Sequence, residues 1–141
     1  MKIASQTVLQ ADVEILWSII TDVKNWPKWD PHEEAAELDG PFAVGTKGWS
    51  MPKGAPDAHW VISRAEHAKA WGSESPLPGG KISGLTTFEP LENGRVRCTK
   101  VVTVTGLLVP LFWVYCGRLI RQDMDRTWAA LEREADRLHE G

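Results

Sequence analysis

The amino-acid sequence predicts an α+β domain in which seven antiparallel strands curl around one long C-terminal helix. Two observations carry this reading. From Ile120 on, the apolar residues Ile120, Met124, Trp128, Leu131, Ala135 and Leu138 recur every three or four positions, which is one stripe of an amphipathic helix. Between His32 and Gly106 the chain is a series of short runs punctuated by Gly and Pro, the pattern of consecutive hairpins. A helix from Leu111 to Leu138 spans on the order of 40 Å at about 1.5 Å per residue. Nothing that long buries its stripe alone, so the strands must supply the covering surface.

Lys2 to Gln10 alternates like a strand. Asp12 then suits a helix N-cap, and Val13, Leu16, Trp17 and Ile20 fall on one helical face behind it. Asn25–Trp26–Pro27–Lys28–Trp29–Asp30–Pro31 follows, and its two prolines forbid a regular helix; a short turn or helical elbow with two fixed indoles is expected. Six strand segments come next, at Glu33–Leu38, Thr46–Pro52, Ala58–His67, Ala70–Ser75, Lys81–Leu91 and Arg95–Gly106. Glu92–Asn93–Gly94 is the strongest hairpin signal among them, because Asn–Gly favours a type I′ turn. Leu107 to Val114 is apolar all round, and Pro110 fits the first turn of the long helix, where a missing N–H does no harm.

The 141 residues fit one domain, residues 1–141, large enough for a continuous core. A formal net charge of −3 argues against nucleic acid, whose partners carry a basic stripe. Cys98 and Cys116 have no metal or CxxC spacing; both are expected reduced and buried, in a cytoplasmic protein. The N-terminal stretch has no apolar core of the signal-peptide kind. Val101 to Cys116 is short for a membrane span and is broken by Gly106 and Pro110. No metal and no cofactor are expected, and the chain is read as a monomer or weak homodimer. The eight tryptophans are unusual for this length, and Trp is common where an interior is broad, shaped or partly wet.

Four pieces of sequence, in order, resemble the START-like (SRPBCC) superfamily and its polyketide cyclase/dehydrase-like branch. Val13 to Asp22, with Trp17, is similar to the first helix, and Asn25 to Pro31 to the tryptophan–proline elbow. Gly40–Pro41 with Val44–Gly45–Thr46 resembles the loop into the third strand; Thr87–Phe88–Glu89–Pro90 through Gly94, then the helix ending Trp128 to Glu132, resembles the closing hairpin and last helix. The resemblance implies the helix-grip fold, with two short helices after the first strand and a cavity between sheet and helix. It also implies an apolar small-molecule ligand. Some members are aromatases or cyclases and some assist chaperones, and fold does not settle which.

The residues themselves show no Gly-rich phosphate loop, no Ser/His/Asp order and no HExxH. His32, His59, His67 and His139 lack ligand spacing and are read as solvated or locally hydrogen-bonded. Two ionisable residues are candidates for acid or base. Strand alternation puts Glu34 on the face of Ala36 and Leu38, and Lys100 on the face of Val96, Cys98, Val102 and Val104. A buried carboxylate or ammonium is costly unless paired or bonded to a ligand. Glu34 at a cavity mouth, or a bulge turning Lys100 outward, is the alternative. Trp49 with Met51, Trp60 with Ile62, and Trp71 lie on consecutive strands, each read as inward; of the elbow indoles Trp26 and Trp29, one locks the elbow and the other roofs the entrance, with Trp29 counted among the cavity residues. Facing them are Phe112, Trp113, Cys116 and Ile120 from the helix, with Thr86, Phe88 and Val102 on the last strands. Such a flat-walled apolar pocket suits a planar or polycyclic molecule. Binding without chemistry is the leading expectation, a cyclase/aromatase or dehydratase-like enzyme the second, and an interaction module the third.

Overall fold

A computed structural model of the chain describes residues 1–53, 57–77, 79–107, 109–110 and 117–140. Seven strands form one antiparallel sheet: β1 (Lys2–Gln10), β2 (Glu33–Leu38), β3 (Lys47–Pro52), β4 (Ala58–Glu66), β5 (Ala70–Leu77), β6 (Gly80–Pro90) and β7 (Arg95–Thr105). Their order is β1-β7-β6-β5-β4-β3-β2, so the first two strands lie at opposite edges. Helix α1 (Val13–Thr21) and a 3-10 elbow (Val23–Lys28) span between those edges, and helix α2 (Gly117–Glu140) packs on β1 and α1. The strand limits expected from the sequence hold to within two residues, as does the α+β helix-grip architecture. The stretch 111–116, expected to begin the long helix, lies outside the described residues.

Each local element has its cause in the chain. Asp12 caps α1, its carboxylate accepting from Glu14 N at 2.7 Å and Ile15 N at 3.4 Å. The elbow is fixed by Trp26, whose Nε1 donates to the Ile20 carbonyl at 3.0 Å in a buried setting. At the last hairpin Asn93 and Gly94 have φ of +62° and +70°, the left-handed conformation that this pair adopts most easily. The loop holds three residues rather than the two of a type I′ hairpin, since Leu91 N donates to the Arg95 carbonyl across it.

The core sits between α1, α2 and the β1–β7–β6 side of the sheet. Met124, Trp128, Ala130, Leu131 and Ala135 of α2 are buried against it, while Leu138 ends the stripe 42 % exposed. Leu16 and Leu131, with no accessible surface, each contribute about 1.5–3 kcal/mol through burial. Trp17 packs edge-on to Phe42 and Phe88, and Trp128 Nε1 donates to Ser5 Oγ, which donates to Asp125. Register breaks at Glu33/Ala35 and at Ile62/Arg64 are the bulges that tighten the curl of the sheet.

Candidate functional site

The concave face of the sheet leaves space because its inward positions carry small side chains. On β5, Trp71, Ser73 and Ser75 share a face; on β6, Ile82, Gly84 and Thr86 do. Ser50 of β3 and Lys100 and Val102 of β7 complete a cavity of about 260 Å³ roofed by Trp26. A second chamber of about 110 Å³ adjoins it towards α2, among Trp29, Asp30, Met124, Thr127 and Trp128. Trp26, Glu33, Trp71, Thr86 and Lys100 line both. Together the chambers reach the lower end of small-molecule sites, which run roughly 300–1,000 Å³.

Three indoles make the apolar wall. Trp26 stacks on Trp60 with ring centroids 5.8 Å apart and planes 13° from parallel. Trp71 leans on both, 5.8 Å from Trp26 and 6.3 Å from Trp60. Gly48 of β3 makes this possible: a Cβ there would lie 2.6 Å from the Trp60 ring, so only glycine lets the indole lie flat on the strand. Trp60 is 7 % exposed and Trp71 half-buried.

The polar side of the chambers is unusual for an apolar pocket. Lys100 projects from the middle of β7, paired with Ser5 on one side and Thr86 on the other. Burial pulls its ammonium below the ordinary lysine value, and the Asp30 and Glu33 carboxylates oppose that pull through charge. Glu33 is pushed up from 4.5 to about 7 by burial first and by Asp30 second, with Lys100 lowering it. Glu33 Oε2 and the Nε1 donors of Trp29 and Trp71 are buried and have no partner among the described residues. A buried polar atom without a partner costs about 1–3 kcal/mol, and these three are the atoms of the chambers that solvent or a bound molecule can satisfy. His32 ties the rim of the inner chamber to α2: Nδ1 lies 3.1 Å from Asp30, and Nε2 3.3 Å from Asp123.

The residues expected from the sequence divide accordingly. Trp29, Trp60, Trp71, Thr86, Lys100 and Val102 line a chamber. Glu34 does not: the bulge between Glu33 and Ala35 breaks the alternation, leaving Glu34 exposed and turning Glu33 inward. Trp49 and Met51 line neither chamber, because Gly48 and Ser50 occupy the inward positions of β3. Trp49 instead borders a shallow outer depression with Glu37, Lys47 and His59. Phe88 is buried in the core beside Trp17 rather than at the cavity. Phe112, Trp113 and Cys116 lie outside the described residues, and Ile120 is described only as part of the α2 backbone. Trp26, Asp30, Glu33 and the inward serines were not among the expected cavity residues. The serines had a signal, Trp71–Ser73–Ser75 at period two; the bulge that selects Glu33 had none.

A family model described as polyketide cyclase / dehydrase and lipid transport matches residues 1–136. No curated protein matches the chain. Among solved structures, a START superfamily protein from Mycobacterium smegmatis superposes with a TM-score of 0.78 at 13% identity, over 97% of this chain and 98% of that one. A di-domain ARO/CYC protein, StfQ, of the steffimycin biosynthetic pathway gives 0.77 at 12% identity, over 99% of this chain and 52% of its own. Norcoclaurine synthase from Thalictrum flavum, in complex with dopamine and hydroxybenzaldehyde, gives 0.73 at 10% identity, over 94% and 84%. At these identities the likeness shows the fold. Among the described residues no helix is long and apolar enough to cross a membrane.

Proposed function

From the premise that the chain belongs to the polyketide cyclase/dehydrase and lipid transport family, we propose that it binds a small planar aromatic molecule bearing at least one oxygen function. One observation carries the reading: a wall of Trp26, Trp60 and Trp71 leads to buried polar atoms that lack partners among the described residues, Glu33 Oε2 and the indole donors of Trp29 and Trp71. The rings of the ligand stack on the indoles, and its oxygen meets those donors and Lys100. The modest volume favours one or two rings over a sterol. A structural neighbour in complex with dopamine and hydroxybenzaldehyde supports ligands of this size.

Titration of 2-naphthol, a flavonoid, a sterol and a fatty acid, read by tryptophan emission and thermal shift, tests this. The bicyclic phenol should quench emission and raise the melting temperature, since a ligand that prefers the folded state stabilises it by mass action. Trp71→Ala should weaken binding severalfold, because a stacked aromatic contact adds about 0.5–1.5 kcal/mol beyond its buried area. If no compound moves either signal, the reading fails.

A second reading, a cyclase- or dehydratase-like enzyme, is favoured by Glu33. A carboxylic acid at about 7 inside a cavity is poised to give or take a proton at neutral pH. A bell-shaped pH profile lost in Glu33→Gln would support it over binding alone.

A further inference from the structure

We propose that Lys100 captures a small aromatic aldehyde or ketone as a covalent imine, with Glu33 moving the protons. The inference deepens the ligand-binding reading above and rests on it. Lys100 lies where the two chambers meet, so a carbonyl group on a ring stacked against Trp60 and Trp71 arrives beside its Nζ. Gly84 leaves room beside the lysine, since a Cβ added there would sit in van der Waals contact with Lys100 Cε at 3.9 Å. Asp30 and Glu33 act on the ammonium through charge; among the described residues no carboxylate holds it in an ion pair, whereas Lys81, for example, is bound to Glu74 at 3.1 Å.

Burial favours the neutral amine, which is the nucleophilic form. Glu33 is an acid near neutrality with one oxygen that has no partner among the described residues. The Nζ lone pair adds to the carbonyl carbon and the C=O π electrons move to oxygen, giving a carbinolamine after proton transfer. Glu33 then protonates its hydroxyl, the C–O bond breaks and water leaves. The nitrogen lone pair forms C=N, and Glu33 regains a proton from nitrogen. Carbonyl and amine are converted to imine and water, and Glu33 ends as it began.

The test uses 2-naphthaldehyde with the native full-length protein at about pH 7 and sodium cyanoborohydride, which reduces an imine to a stable secondary amine. Intact mass and peptide mapping locate the naphthylmethyl group. Lys100 should be labelled roughly tenfold or more faster than exposed lysines such as Lys47, the advantage of a desolvated amine. 2-Naphthol, which has the ring without the carbonyl, should suppress the labelling by competition. Lys100→Met should lose the adduct and bind 2-naphthol severalfold more weakly, through the indole wall without the ammonium, and Glu33→Gln should slow labelling about a hundredfold, the lower end of what a placed acid contributes. Mapping of the wild-type protein carries the test if Lys100→Met does not fold. Labelling of Lys100 no faster than Lys47, with 2-naphthol still quenching emission, overturns the imine and leaves the pocket standing. Neither labelling nor quenching overturns both.

Discussion

Replacing Glu33 by glutamine should change how stability depends on pH, in a direction set by the carboxyl's surroundings. The folded protein holds the Glu33 proton up to about 7, whereas the unfolded chain releases it near 4.5. Below 4.5 both states carry the proton and no penalty exists. As pH rises towards 7 the unfolded chain gains by ionising while the folded one cannot, so stability is lost across that window. The difference corresponds to about 3 kcal/mol at 1.36 kcal/mol per decade. Glu33 is partly open to solvent in its chamber, and screening there brings the expected effect to about 1–2 kcal/mol. A glutamine side chain keeps the shape and cannot ionise. Urea denaturation of both proteins at half-unit steps from pH 4.5 to 7 gives a difference curve in which every other titrating group cancels. The variant should gain on the wild type steadily, ending about 1–2 kcal/mol ahead. Above about pH 7 the comparison changes character, because the variant lacks one of the two carboxylates that favour the Lys100 ammonium. A flat difference curve, or one in which the wild type gains with rising pH, would refute the placement of Glu33.

Three further outcomes are expected. Trp128→Ala should lower stability by about 3–5 kcal/mol, as a large-to-small change at a site 6 % exposed that also removes the indole donor to Ser5 Oγ; a loss below about 1 kcal/mol in denaturant would contradict its burial. The Cys98 thiol, pushed up to about 12 by burial and then by the Glu132 charge, should react with a thiol reagent only as fast as the protein unfolds; rapid labelling in native buffer would place it at the surface. Gly48→Ala drives a methyl group into the Trp60 ring, so it should blue- or red-shift tryptophan emission and weaken 2-naphthol binding at least about threefold; unaltered emission and affinity would mean Trp60 is not seated on that glycine.

The fold was legible because its signals are local and redundant. Strands β2 to β7 each have a Gly or Pro near at least one end, and the stripe on α2 holds four buried residues among those described, Met124, Trp128, Leu131 and Ala135. The site was legible only where alternation runs unbroken. Lys100, Trp60 and Trp71 sit on regular stretches and face as period two dictates. Glu33 and Glu34 exchange places because one bulge inserts a residue, and a bulge depends on how β3 pairs across β2 rather than on the residues that carry it. Trp49 fails for a related reason. Aromatic residues fit either face of a strand, and its glycine and serine neighbours decide the face by leaving room for Trp60.

The pairing of β1 with β7 has a consequence for the order in which this chain reaches its native state. Gln6 and Thr99 are hydrogen-bonded partners 93 positions apart, and Trp128 reaches Ser5 across 123. Strands β2 to β7 join by successive hairpins, each closing a short loop, whereas β1 waits for the last of them. A nascent chain can therefore assemble the meander early but must hold its first strand unpaired until β7 emerges. During that interval the unpaired β1 and the growing edge of the meander are templates for any other extended segment. Leu9→Ala in β1 should accordingly speed unfolding while barely slowing folding, whereas Ile62→Val in β4 should slow folding; the reverse pattern in stopped-flow kinetics would place the long-range closure first.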